Sequence, residues 1–328
     1  MRSHCIALWS WCAAMTFALP LYASDKNHST IPDEIVTPGG QAAYQAGSGA
    51  ALVSDQGAIH INPAMLYRHR TYDVGGTYTW PVVGREYYRV SAIDGVTSKW
   101  TTAFEYTGFG DGLAGRETRN LDSPVRRRGA LGFSIPSDFV AVGFAGNYLE
   151  ADDPRSAQTQ TIKAFTLGAG LVAQLSHNFS FGASVENFNN KKVKDVAPQT
   201  VRAGVAYEDK GGTLGVYADY RDRERSPYLE ERLLTADLNH MVPLDTNVTP
   251  SNLPRERMAL IGGQVQTFDV LRIFFGAGKN VGGEHAEVIS GGLGIFQKNF
   301  SLAYGVSRTY PNVKDLQDSV TLSITMKM

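Results

Sequence analysis

The chain has 328 residues, 31 basic side chains against 32 acidic ones, and a hydrophobic content of 43%. Balanced charge removes the electrostatic case for nucleic acid as a partner. The two cysteines, Cys5 and Cys12, both sit at the extreme N-terminus, so neither a disulfide framework nor a cysteine-ligated metal is expected beyond it. After that N-terminus no run of about eighteen apolar residues offers a helical membrane span.

In chain order, residues 1–23 read as a signal peptide for export. Arg2 and His4 precede an uncharged stretch from Cys5 to Leu21, and the small residue Ala23 marks the expected cleavage point. Trp9-Ser10-Trp11 before Cys12 does not suit lipid attachment. Residues 24–67 follow, too long for a simple tail and lying ahead of the first strand.

From Arg70 to the C-terminus one unit recurs, a stretch of alternating apolar and small or polar residues followed by a turn. The last is the plainest: Val320, Leu322, Ile324, Met326 and Met328 alternate with Ser319, Thr321, Ser323, Thr325 and Lys327. A period of two marks a strand with one apolar face. Strands are expected near 70–80, 85–94, 99–107, 128–136, 138–148, 161–175, 179–188, 200–208, 213–222, 257–267, 270–279, 286–296, 299–308 and 319–328. Fourteen is an even number, which puts both chain ends on one side. The even-numbered connections are tight, and nearly all the odd ones are long and polar. A soluble sandwich has no reason to sort its loops by parity, whereas a transmembrane barrel has short periplasmic turns and longer outer loops. The expected fold is all-β, a transmembrane antiparallel β-barrel of about fourteen strands in the outer membrane of a Gram-negative-type bacterium.

Trp80, Tyr87, Tyr88, Trp100, Tyr106, Tyr207 and Tyr220 fall at strand ends and are expected to form aromatic girdles. Arg89, Glu105, Lys163, Glu186, Arg202, Asp219 and Arg272 are expected to face the lumen, because charge is costly against lipid; there they line a polar route or pair with one another. Arg126-Arg127-Arg128 sits at the outer end of a strand, where it either touches outer-membrane lipid or lipopolysaccharide headgroups or is simply solvated. Leu229, Leu233, Leu234 and Leu238, in the longest loop, have the spacing of a short amphipathic helix.

Signs of catalysis are weak. Gly47-x-Gly49 lacks the third glycine and the strand–helix setting of a dinucleotide loop. The seven histidines are dispersed, and no serine stands in a G-x-S-x-G elbow. No cofactor, metal or enzymatic activity is expected. A surface activity would have to run through His177 or His285, both near strand ends.

The segment from Ala46 to Leu66 carries a small-residue stretch at 46–51, an acidic residue at Asp55, and then Asn62-Pro63-Ala64 followed by the apolar Met65, just before the first strand. In this it resembles the N-terminal hatch of the FadL/TodX family of outer-membrane transporters for hydrophobic compounds. The resemblance implies that 24–67 is a hatch inside the lumen of a barrel formed by 68–328. It implies substrate gating at Asn62, Pro63 and Ala64. It also implies passage of small hydrophobic molecules, long-chain fatty acids among them. PorV-like relatives that serve secretion systems share the signature, so the alternative it implies is a non-transporting scaffold or shuttle with an envelope protein as partner. The residue types suit a hatch. A barrel of about fourteen strands leaves a lumen that wall side chains do not fill. Pro63 fixes a turn that needs no donor from its nitrogen, and the Asn62 amide can hold it.

Overall fold

The structure, a computed structural model, describes residues 44–52, 55–81, 86–110, 125–152, 161–191, 193–194, 196–224, 255–282, 287–310 and 317–328. The expected signal peptide, the helix expected around Leu229–Leu238 and His285 lie outside the described residues.

Fourteen strands follow one another: β1 (Tyr72–Pro81), β2 (Glu86–Asp94), β3 (Thr101–Gly110), β4 (Val125–Pro136), β5 (Val140–Asp152), β6 (Thr161–Gln174), β7 (Phe179–Glu186), β8 (Thr200–Glu208), β9 (Leu214–Arg223), β10 (Glu256–Thr267), β11 (Leu271–Asn280), β12 (Glu287–Phe296), β13 (Phe300–Tyr310) and β14 (Gln317–Lys327). Each pairs with its neighbours in sequence, and β1 closes the sheet against β14 in an antiparallel ladder from Asp73–Lys327 to Pro81–Ser319. Closure leaves no strand edge at the seam, where an open sheet would expose unpaired backbone to lipid. The strands are those expected from alternation, with ends displaced by at most four residues.

Alternation decides which way each side chain points. Along β6, Phe165 and Leu171 stand on the exterior, while Ala164, Thr166, Gly168, Gly170 and Val172 are buried inside. Phe104, Leu131, Ile261 and Ile289 stand on the exterior of their strands in the same way. This is the exterior of a barrel that spans a membrane.

Parity also corrects two expectations. Tyr87 is 3% exposed and points into the lumen, because its neighbour Tyr88, at 44%, takes the outward position and successive residues cannot share a face. Lys163 shares the outward parity of Phe165 instead of facing the lumen. Its charge is tolerated because it lies two residues into β6 at the outer rim. There it stands in register with Glu150, which in turn pairs with the outward Arg127.

The rims differ as expected. On the periplasmic side the strands are joined by 95–100, 137–139, 175–178, 209–213, 268–270 and 297–299, none longer than six residues. The outer side includes the connections 111–124, 187–199 and 224–255. One of these enters the barrel. β7 pairs with β6 only from Ser180 to Val185, and Asn187, at φ 57°, then turns the chain away. Val196 and Ala197 of this segment are buried against Leu149, Ala151 and Ala164 on the inner wall. The Asn189 side chain takes over the vacated edge of β6, accepting from the Leu167 N–H (2.7 Å) and donating to the Phe165 carbonyl (3.3 Å), as a neighbouring strand would.

Candidate functional site: the hatch and its seat

Before β1 the chain lies inside the barrel as two limbs, 44–52 and 57–69. The second contains a single helical turn, α1 (Ala58–Ile61), and a 3₁₀ helix over Pro63–Arg68. Asn62 stands between them in extended conformation (φ −158°, ψ 99°), as the residue before a proline prefers. Pro63 opens the 3₁₀ helix, where its missing N–H is not needed.

Asn62 is fully buried and joins three parts of the molecule. Its Nδ2 donates to the Ala50 carbonyl of the first limb (2.7 Å) and to the Leu171 carbonyl of β6 (3.1 Å), and its Oδ1 accepts from the Ala64 N–H (3.1 Å). Pro63 and Ala64 press against the wall at Gly143, where a Cβ would lie 2.3 Å from the Ala64 nitrogen. At Gly170 a Cβ would meet Asn62 Oδ1 at 2.0 Å, at Gly182 the Ala50 carbonyl oxygen at 2.1 Å, and at Gly276 the backbone of Gln45 at 2.3 Å. At these four positions the wall is glycine, and the hatch lies too close for a side chain to fit. The structure thus brings Asn62, Pro63 and Ala64 together at one seat, and the small-residue stretch 46–51 occupies another part of the same lumen.

The second limb is held by apolar packing and by buried charge. Ala58, Ile59, Ile61, Ala64, Met65 and Leu66 form one cluster with Ile93, Ala103, Ala130, Ala141, Ala145 and Val172 of the wall. Burying an aliphatic side chain of this size contributes about 1.5–3 kcal/mol. His60 reaches into a group of charges: its Nε2 lies 2.6 Å from Glu105 Oε1 and its Nδ1 lies 3.6 Å from Glu186 and 2.9 Å from Arg128 Nη2. Arg89 pairs with Glu105 at 3.1 Å, and Glu186 is shared by Arg128 and by Arg202 at 3.6 Å. Buried pairs of this kind are weak as net stabilisers but specific in geometry, so they fix the position of α1.

The first limb is held largely through polar contacts. Tyr44 Oη donates to the Ala303 carbonyl (3.3 Å), the Ala46 N–H to Ser290 Oγ (2.7 Å), and Ser180 Oγ to the Ala51 carbonyl (2.9 Å). Asp219 of β9 accepts from the consecutive N–H groups of Gly49 and Ala50, the latter at 2.9 Å. Its apolar contacts are fewer: Tyr44 on Phe274 and Ala303, and Ala51 and Leu52 on Ala206 and Tyr217.

At the periplasmic end a cavity of about 50 Å³ lies between hatch and wall, bounded by Tyr44, Gln56, His69, Asp73, Phe296 and Lys327 among others. That is room for a few water molecules. His69 Nδ1 lies 2.9 Å from Asp73, which also accepts from Thr71 Oγ1 at 2.6 Å.

Of the lumen charges expected from sequence, Arg89, Glu105, Glu186 and Arg202 meet around His60. Asp219 instead serves the first limb, and Arg272 lies 4.5 Å over the Phe296 ring. The arginine run divides by parity: Arg128 joins the inner cluster, Arg127 faces out at 55% exposure beside Glu150, and the Arg126 side chain lies outside the described residues. His177 is exposed in the turn between β6 and β7. Sequence reasoning missed His60 and the role of Asp219. A signal for the latter was Gly47-Ser48-Gly49, a pair of glycines able to turn successive N–H groups toward one anion.

No protein-family model matches the chain, and no curated protein matches it. Solved structures do. The CymD monoaromatic hydrocarbon channel matches with a TM-score of 0.59 at 13% identity, over 90% of this chain and 98% of that one. The toluene transporter TbuX of Ralstonia pickettii matches with a TM-score of 0.56 at 12% identity, over 89% and 98%. A FadL homologue of Pseudomonas aeruginosa gives 0.54 at 10% identity, over 88% and 98%. With fourteen antiparallel strands closed into a barrel, the chain has the fold of the FadL/TodX-type outer-membrane transporters.

Proposed function

We propose that this chain is an outer-membrane channel for small hydrophobic molecules, with long-chain fatty acids and monoaromatic hydrocarbons as the two substrate classes to separate. The observation that carries the reading is the hatch: a segment of the chain seated on bare glycine positions of the wall and joined across its two limbs by Asn62. A segment of which one limb is held mainly by hydrogen bonds can close a lumen and still leave part of it. In this reading Asn62, Pro63 and Ala64 gate the passage, because the contacts that keep the two limbs together and against β5 and β6 converge there. Named structural neighbours are described as a monoaromatic hydrocarbon channel and a toluene transporter, which favours small hydrophobic cargo over a scaffold role.

The test is uptake of labelled oleate and labelled toluene in a strain without other barrels of this type, with and without the gene. Faster uptake of either one supports the reading and names the class. Equal uptake of both with and without the gene overturns it.

A further inference from the structure

We infer that Asp219 is the latch of the hatch, and that opening frees the limb 44–52 while the limb 57–69 stays seated. The inference rests on the channel reading above and assigns the moving part within it.

The two limbs are attached by different physics. Moving the second limb would bring Ile59, Ile61, Met65 and Leu66 out of a shared apolar cluster and pull His60 from two carboxylates. The first limb keeps most of its contacts through hydrogen bonds, and a hydrogen bond exchanged for water costs little net free energy. Among these contacts Asp219 stands apart. It is a carboxylate of the wall bonded to the limb's backbone, and it receives two successive N–H groups. The backbone is shaped for it: Ala46, Gly47 and Gly49 all have positive φ (57°, 75° and 123°). That brings consecutive N–H groups to bear on one anion. Ala46 carries a Cβ in the left-handed region, a conformation kept only where surrounding contacts hold it. Both N–H groups bond to Oδ2; the other oxygen, Oδ1, has no hydrogen-bond partner among the described residues, so the carboxylate's hydrogen bonds come from the hatch. Asn62 is then the joint: its bond to the Ala50 carbonyl parts on opening, while its bonds to Leu171 and Ala64 persist.

The chain suits a thiol experiment, because Cys5 and Cys12 are its only cysteines and both precede residue 24. Expressed behind a different export leader, the protein carries one introduced thiol, either Ser48→Cys in the first limb or Met65→Cys in the second. Both positions are fully buried. Maleimide labelling rates are measured on the purified, folded barrel with Asp219 intact and with Asp219→Ala. Loss of two hydrogen bonds to a charged acceptor raises labelling at Ser48→Cys about tenfold or more, and leaves Met65→Cys unchanged. Equal acceleration at both positions means that the hatch moves as one body, and no acceleration at either means that Asp219 is no latch; each overturns the inference. Where Asp219→Ala does not yield a folded barrel, the isosteric Asp219→Asn gives the same ordering with a smaller rise, and a flat result there is equally fatal. Labelling reads hatch motion and not cargo, so an absence of uptake defeats the channel reading without touching this result.

Discussion

Asn62 uses its donors on the buried carbonyl of Ala50 and on that of Leu171 in the wall, and its acceptor on the N–H of Ala64. Asn62→Ala removes all three bonds, and a buried group such as the Ala50 carbonyl left unsatisfied costs about 1–3 kcal/mol. The expected outcome is faster hydrogen exchange at the amides of 44–52, with the barrel strands unchanged. The wall glycines offer a sharper comparison. Gly143→Ala drives a methyl into the Pro63–Ala64 backbone, whereas Gly129→Ala adds one where nothing lies within 4 Å. The first is expected to destabilise by about 1–3 kcal/mol through overpacking and the second to be neutral, as read by urea unfolding of the refolded barrel. At this scale Asn62-Pro63-Ala64 was legible, because its turn chemistry is local. His60 and Asp219 were not: Glu105 is 45 positions from His60, and Gly49 is 170 from Asp219, separations that only the closed barrel brings together.

Strands were legible one by one, since alternation is a property of ten consecutive residues. What alternation does not carry is where a strand stops. β7 ends at Glu186 because the following segment turns inward at Asn187 and packs Val196 and Ala197 on the inner wall, a contact set by Leu149 and Ala164 on other strands. Phase errors arose at ends for the same reason. Lys163 reads as a lumen charge if every strand charge is assigned inward, but it shares the outward parity of Phe165 near the start of β6, in register with Glu150. Elements meet at Glu186, which ties α1 to β4 and β8 through His60, Arg128 and Arg202. Breaking such a buried pair typically costs about 3–5 kcal/mol, so Glu186→Gln is expected to loosen α1 and raise exchange at the amides of 58–61. Arg127→Ala, which removes an exposed charge beside Glu150, should change stability by no more than about 0.5 kcal/mol. Equal losses from the two variants would show that the inner cluster does not position the hatch.

The barrel as a whole is held by ladders that run through every strand pair, and the β1–β14 seam involves backbone from Asp73 onward, beyond the hatch. Removal of residues 24–69 is therefore expected to leave a heat-modifiable barrel on gel electrophoresis and to raise its conductance in planar bilayers from closed to steadily open. A truncated chain that no longer forms a barrel would instead make the hatch part of the core on which the strands assemble.

The order of attachments along the hatch sets how it responds to force. A pull on the chain before Tyr44 loads Tyr44, then Ala46, then Gly49 and Ala50, and only afterwards the staple at Asn62 and the apolar cluster behind it. Contacts loaded in series peel one after another, whereas the same contacts loaded side by side must shear together. The limb is thus built to unzip from Tyr44 onward, and in the channel reading a modest tug in that direction would uncork the lumen while every rung of the surrounding ladder stays in place.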